Sequence, residues 1–231
     1  MRLAIIVLVF IILSCENTIE NPLLNPQEDW DFFPATYGYV RTYEVTLISY
    51  KGSTNDTSTY QLREQVYDSI AKNGEPIVYL LKRSKKFPEQ SEFITDSIWP
   101  MRRNDRYISV SENGNNLIKL VFPITNGREW DGNRLMNRPL AKYEYRLNFS
   151  NALEGNYDFL PGNPDLVWVQ IANIPRNIVS QNQQYEVYGK GVGLIEKKSV
   201  VLEFCTVNCE STGQINTGTI LTQKLIANES D

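Results

Sequence analysis

Hydrophobic and polar residues alternate along most of this chain, with a period of two. Over 38–50, Tyr39, Tyr43, Val45 and Leu47 fall on one face and Thr42, Glu44 and Thr46 on the other, the pattern of a half-buried strand. Strands are expected in the same way at 59–70, 77–86, 92–101, 107–111 and 117–124. The turn signals between them are the polar stretch 51–58, Lys72-Asn73-Gly74-Glu75, Pro88 and Asn113-Gly114-Asn115. Six short strands with short turns make an antiparallel meander. After a loop-like 126–137, strands follow at 140–149, 166–174, 185–204 and 219–226, with a long loop at 150–165. Gly189, Gly191 and Gly193 fall inside the 185–204 segment and are read as a bend in one long strand. No convincing amphipathic helix is seen, and a short helix is left open near Asn177–Gln184 or at the C-terminus. About ten strands exceed what a flat twisted sheet holds, so curling into a barrel-like shape or splitting into layers is expected. The fold class is all-β: an antiparallel meander forming a curved sheet or barrel-like domain.

The first residues break this rhythm. Arg2 precedes an unbroken apolar run, Leu3–Leu13. At 1.5 Å per residue that run covers about 17 Å of a hydrocarbon core about 30 Å thick. It therefore suits a secretory signal better than a membrane-spanning helix. Ile12-Leu13-Ser14-Cys15 resembles the lipobox of bacterial lipoproteins. The resemblance implies diacylglyceryl transfer to the Cys15 sulfur, cleavage before Cys15 and acylation of the new amino terminus. Several acyl chains anchor stably where one does not. The division expected is a signal peptide over 1–14, a lipidated Cys15 with a tether over 15–33, and one β domain over 34–231. The end of the tether, Trp30-Asp31-Phe32-Phe33, is too aromatic for a pure linker and is expected to dock on the domain.

Composition narrows the function classes. The chain has 231 residues, a net charge of −4 and no histidine. The missing histidine removes Ser-His-Asp and Cys-His catalysis, zinc sites that need histidine, and histidine pH switches. Interspersed charges of both signs with an acidic balance argue against nucleic-acid binding. With Cys15 assigned to lipid, Cys205 and Cys209 remain, and in an oxidising exported compartment a local disulfide between them is the expectation.

The remaining constellations are weak. Gly189-Lys190-Gly191-Val192-Gly193 lacks the spacing and the following helix of a nucleotide loop. The basic groups Lys82-Arg83, Lys85-Lys86 and Arg102-Arg103 with Arg106 fall toward opposite ends of a hairpin and read as solvated edges. Asp29 and Asp31 lack the further oxygens calcium needs. Glu129, Asp131, Asp158 and Asp165 offer carboxylates without a fixed pairing, so no catalytic residue, cofactor or metal ligand is assigned. Of Trp30, Trp99, Trp130 and Trp168, Trp130 is expected to be the most exposed. With Asp131 it is the candidate contact for a ligand or partner.

Three segments carry a wider resemblance. Phe32-Phe33-Pro34 with Tyr37-Gly38-Tyr39-Val40-Arg41-Thr42-Tyr43 forms an opening motif. Leu120-Val121-Phe122-Pro123, Gly127, Trp130-Asp131-Gly132-Asn133 and Tyr143-Glu144-Tyr145 form a middle one. Tyr188-Gly189-Lys190-Gly191-Val192-Gly193-Leu194 forms a closing one. Together these resemble envelope lipoproteins of Bacteroidota that carry no assigned activity. The resemblance implies location and fold: a lipid-anchored protein of the bacterial cell envelope, at the outer membrane, on either its periplasmic or its surface side. The function expected is a non-enzymatic scaffold or accessory subunit with a protein partner in the envelope. The alternative is a half-barrel binding module for a lipid, another hydrophobic ligand or a glycan. A carboxylate hydrolase ranks third.

Overall fold

The computed structural model describes residues 29–52, 54–147, 157, 160, 164–209, 211 and 213–230. Cys15 and residues 1–28, which include the expected signal peptide and most of the expected tether, lie outside them, as does Asp158.

All twelve elements among the described residues are strands. They are β1 (Tyr39–Lys51), β2 (Thr54–Ile70), β3 (Val78–Lys86), β4 (Ile94–Arg103), β5 (Tyr107–Glu112), β6 (Asn115–Val121), β7 (Glu129–Asp131), β8 (Lys142–Arg146), β9 (Leu166–Ile174), β10 (Ser180–Gly189), β11 (Gly193–Phe204) and β12 (Ile215–Ser230). They form one antiparallel sheet in the order β6-β5-β4-β3-β2-β1-β12-β11-β10-β9-β8-β7. Two six-stranded meanders are thus joined where the first strand pairs with the last, Tyr43 opposite Leu225 and Leu47 opposite Leu221.

The two edge strands are consecutive in the chain, and the sheet curls until they meet. The Ile118 N–H donates to Gly132 O at 3.0 Å, and Trp130 Nε1 donates to Ile118 O at 3.0 Å. The Tyr145 hydroxyl donates to Val121 O at 2.8 Å and accepts from Val121 N at 2.7 Å. A single tyrosine therefore satisfies two backbone groups that the edge would leave open. The result is a nearly closed barrel.

Two departures from the sequence reading raise the strand count from about ten to twelve. The segment 185–204 is not one bent strand. It is the hairpin β10–β11, turned at Lys190–Val192, with Gly189 opposite Gly193. The polar residues 181–184, compatible with a helix by composition, are the outer half of β10. The loop-like 126–137 contains the three-residue β7. The Asn113-Gly114 turn is as expected: both residues have positive φ, 49° and 79°, which a tight two-residue hairpin requires.

The core fills the barrel. Val66, Leu81, Met101, Ile108, Leu120, Tyr145, Val167, Val169 and Tyr188 come from eight strands and bury together. The aromatic end of the tether belongs to this core. A turn closed by Phe32 N–H to Asp29 O and Phe33 N–H to Trp30 O sends Phe32 and Phe33 into it. Asp29 Oδ2 accepts from the Ile124 N–H at 2.8 Å, so the plug also ties down the β6–β7 connection.

Candidate functional site

The interior carries charge as well as apolar residues. Strand alternation accounts for it. Glu64 lies between buried Leu62 and Val66 on β2, and Arg41 is in phase with buried Tyr43 before a bulge. Register then aligns Glu64 with Arg41 on one side and Arg83 on the other, and Glu186 with Lys197. Lys119 of β6 reaches Glu186 of β10 across the barrel at 2.5 Å and Glu112 at 2.8 Å. Lys197 lies 3.0 Å from Glu186 and 3.4 Å from Glu112. The Tyr188 hydroxyl donates to the other Glu186 oxygen at 2.6 Å. Arg83 Nε donates to Glu64 at 2.9 Å while its guanidinium lies 3.6 Å from the centre of the Trp99 ring. Arg41 is 1 % exposed, 3.8 Å from Glu64, and stacked near Phe33 and Tyr39.

Such burial is costly unless each charge is matched. Burial alone would raise the Glu112 pKa, but Lys119 and Lys197 outweigh it and hold the carboxyl at about 2. Glu186 is lowered in the same way, burial opposing and the same two ammonium groups prevailing. Burial would lower the Lys119 pKa, yet Glu112 and Glu186 raise it. The three groups therefore stay ionised at neutral pH. The Tyr188 hydroxyl stays protonated, its pKa pushed well up by burial and by Glu186.

The cavity found inside among the described residues is small. It measures about 30 Å³ and lies between Glu64, Arg83, Trp99, Lys119, Lys197 and Gln223, roughly the share of one water in the liquid. Sites for organic ligands run to about 300–1,000 Å³.

The end of the barrel opposite the plug is built differently. Antiparallel alternation places the β1–β2, β9–β10 and β11–β12 connections together there, since β1 starts beside the plug and runs away from it. Cys205 and Cys209 are disulfide-bonded, with Cα atoms 5.7 Å apart. The bond closes the β11–β12 loop, which is further held by Cys205 N–H to Gln214 O at 2.9 Å. Arg176 covers the Phe204 ring at 4.5 Å and donates to Gly213 O at 3.2 Å, linking the β9–β10 loop to the disulfide loop. Between the loops is an open concavity of about 650 Å³, lined by Arg176, Ile178, Phe204, Cys205, Cys209 and Gly213 among others. Ile178 is 87 % exposed and Val207 74 %, with Ile174 and Val179 also exposed beside them.

The residues singled out from the sequence fall as follows. Cys15 is outside the described residues. Cys205 and Cys209 are paired. Trp130 is half-buried at the seam, its ring 4.5 Å from that of Tyr145 and its indole nitrogen bonded to β6. Asp131 Oδ1 accepts from the Asn133 and Ala141 N–H groups, both at 2.9 Å, and organises the β7–β8 turn. Trp130 and Asp131 thus hold the barrel seam with the groups expected to meet a ligand. The other tryptophans are also half-buried, Trp30 under Arg103 and Trp168 stacked on Tyr185. Glu129 pairs with Lys142 at the surface. Of the basic groups, Arg83 turns inward and Lys85 pairs with Asp96. The interior ions were missed by sequence reasoning, although Arg41, Glu64 and Glu186 each sit in phase with apolar neighbours.

No family model matches this chain, and no curated protein matches it. Among solved structures, the chain is similar to the crystal structure of "a putative exported protein with YmcC-like fold" from Bacteroides fragilis. The identity is 11 %, the TM-score 0.44, and the match covers 86 % of this chain and 99 % of that one.

Proposed function

We propose that this chain is a lipid-anchored, non-enzymatic protein of the bacterial cell envelope, held at the outer membrane through Cys15, that serves as an accessory subunit by docking a protein partner at its disulfide-bearing end. The observation that carries this reading is the contrast in space and polarity. The interior is charged around a cavity of about 30 Å³, while the far end has an open concavity of about 650 Å³ lined in part by Ile178 and exposes Ile174, Val179 and Val207 on its loops. Exposed apolar residues gathered at one end of a domain are the kind of surface a protein partner covers. The interior cavity of about 30 Å³ among the described residues is too small for a lipid. The resemblance to Bacteroidota envelope lipoproteins supports the location.

The topology supports the orientation. The tether enters at the plugged end, so a partner approaching from beyond the membrane meets the disulfide loop first. Fourteen residues from Cys15 to Asp29 span at most about 50 Å when extended.

Two variants test the two halves of the proposal. Cys15→Ala abolishes incorporation of labelled fatty acid and moves the protein from the membrane to the soluble fraction; retained label overturns the anchor. The pair Ile178→Asp, Val207→Asp leaves the protein lipidated and folded but loses a partner that the unaltered chain retains through affinity purification in mild detergent. Equal retention by both overturns docking at this end.

A further inference from the structure

Every buried side-chain nitrogen or oxygen left without a partner among the described residues is a donor: Trp30 Nε1, Arg41 Nε and Nη1, Trp99 Nε1, and Gln223 Nε2. Two of these residues, Trp99 and Gln223, line the interior cavity. Gln223 is 4 % exposed. Trp99 lies against Arg83, and its indole can only donate.

Each carboxylate around the cavity is already paired with at least one cation. Glu112 has one oxygen on Lys119 and the other on Lys197. Glu186 has one on Lys119 and Lys197 and the other on the Tyr188 hydroxyl. Glu64 has one on Arg83 and the other toward Arg41. The network also carries an odd charge. Its cations are Arg41, Arg83, Lys119 and Lys197, and its anions are Glu64, Glu112 and Glu186. The sum is one excess positive charge in a place where unmatched charge is expensive.

We propose that this cavity is a binding site for one halide-sized anion, chloride under cellular conditions, which takes the Trp99 and Gln223 N–H groups and neutralises the Arg83–Lys119–Lys197 side of the network. A water would satisfy the two donors and could donate to the carboxylates, but it carries no charge. It would therefore leave the charge unbalanced. A monatomic anion only accepts, fits a volume of about one water, and tolerates the apolar walls of Leu81, Val110 and Leu194. The site stands on the barrel interior alone and is independent of what docks at the far end.

The test uses the purified full chain in detergent, with chloride exchanged for gluconate at constant ionic strength and thermal unfolding as the readout. A millimolar site raises Tm by on the order of 5 °C between 1 and 100 mM chloride. Gln223→Glu supplies the missing negative charge from the chain itself, so it folds without halide and its Tm is flat in chloride. Trp99→Phe removes one donor and moves the response to higher chloride. Crystals grown in bromide place an anomalous peak in the cavity. A cavity holding water only, a Tm indifferent to the exchange, or a chloride response undiminished in Gln223→Glu each overturns the site.

Discussion

Where the chain enters the barrel, Phe32 and Phe33 are buried, Asp29 holds the β6–β7 connection, and Arg41 lies inside against Phe33. At the opposite end, Ile178 and Val207 stand in solvent and the loops are tied by a short disulfide and one arginine. The first region is tightly packed and ion-paired, with Trp30 Nε1 and Arg41 Nε and Nη1 as its unpartnered donors. The second leaves apolar surface that no described residue covers. A packed, ion-paired region is costly to alter and has little surface to offer a partner. One with unspent apolar area is cheap to alter and available. Stability and function are accordingly expected to separate along the barrel axis.

The largest effect is expected from Lys119→Met. It leaves Glu112 and Glu186 sharing only Lys197, which is partly exposed, and removing one partner of a buried pair costs about 3–5 kcal/mol. Denaturant unfolding reads the loss. Adding Glu186→Gln to the same chain recovers part of it, because the groups couple directly. A single variant as stable as the unaltered chain breaks the contrast at its stronger end.

Acid gives the next effect. The carboxyl of Glu112 sits at about 2 in the folded chain, below its ordinary value near 4.3 when unfolded. A depressed folded pKa gives stability that is complete above the unfolded value and lost as pH falls through the folded one. Stability therefore declines between about pH 4.5 and pH 2, by on the order of 3 kcal/mol from this group. Glu186, also lowered, steepens the same limb. Glu112→Gln makes that limb shallower in unfolding curves taken at stepped pH. An unchanged slope would mean that the network is not what acid breaks.

The smallest effect is predicted at the far end. Ile178→Asp with Val207→Asp changes unfolding free energy by no more than about 0.5 kcal/mol per site, while abolishing partner retention. Opening the loop with Cys205→Ser and Cys209→Ser costs at most about 2–3 kcal/mol and leaves the barrel folded at neutral pH. A large destabilisation from the exposed pair would place the loops in the core and blur the contrast.

Much of the barrel is legible in the chain, and the gaps have physical causes. Alternation at Tyr39, Tyr43 and Val45 marks the inward face of β1, and Asn113-Gly114 marks a turn because few other pairs adopt two positive φ values. Gly189-Lys190-Gly191-Val192-Gly193 misleads because glycines serve a bend and a tight hairpin alike. The pairing of Gly189 with Gly193 decides between them, and pairing is not local. A strand as short as Glu129–Asp131 has no period to detect. It exists because the barrel seam closes on it, and the same closure draws Trp130 inward and sets it under Ile118. The ion network is legible only in halves. Arg41, Glu64 and Glu186 each show as a charge in an apolar phase, but their partners lie on strands far apart in sequence. Gly193 shows the same coupling: a Cβ there would overlap the Arg41 guanidinium, a constraint between residues 152 positions apart.

The central claim is that the barrel interior is structural and the disulfide end is where the protein meets another molecule. A native mass spectrum of the lipidated chain, released from its own membrane in mild detergent, tests it most directly. The account predicts the acylated chain in stoichiometric complex with a protein, reduced to the bare acylated chain by Ile178→Asp with Val207→Asp. A chain without a protein partner that carries the mass of one organic ligand, in both the unaltered and the substituted form, would contradict it.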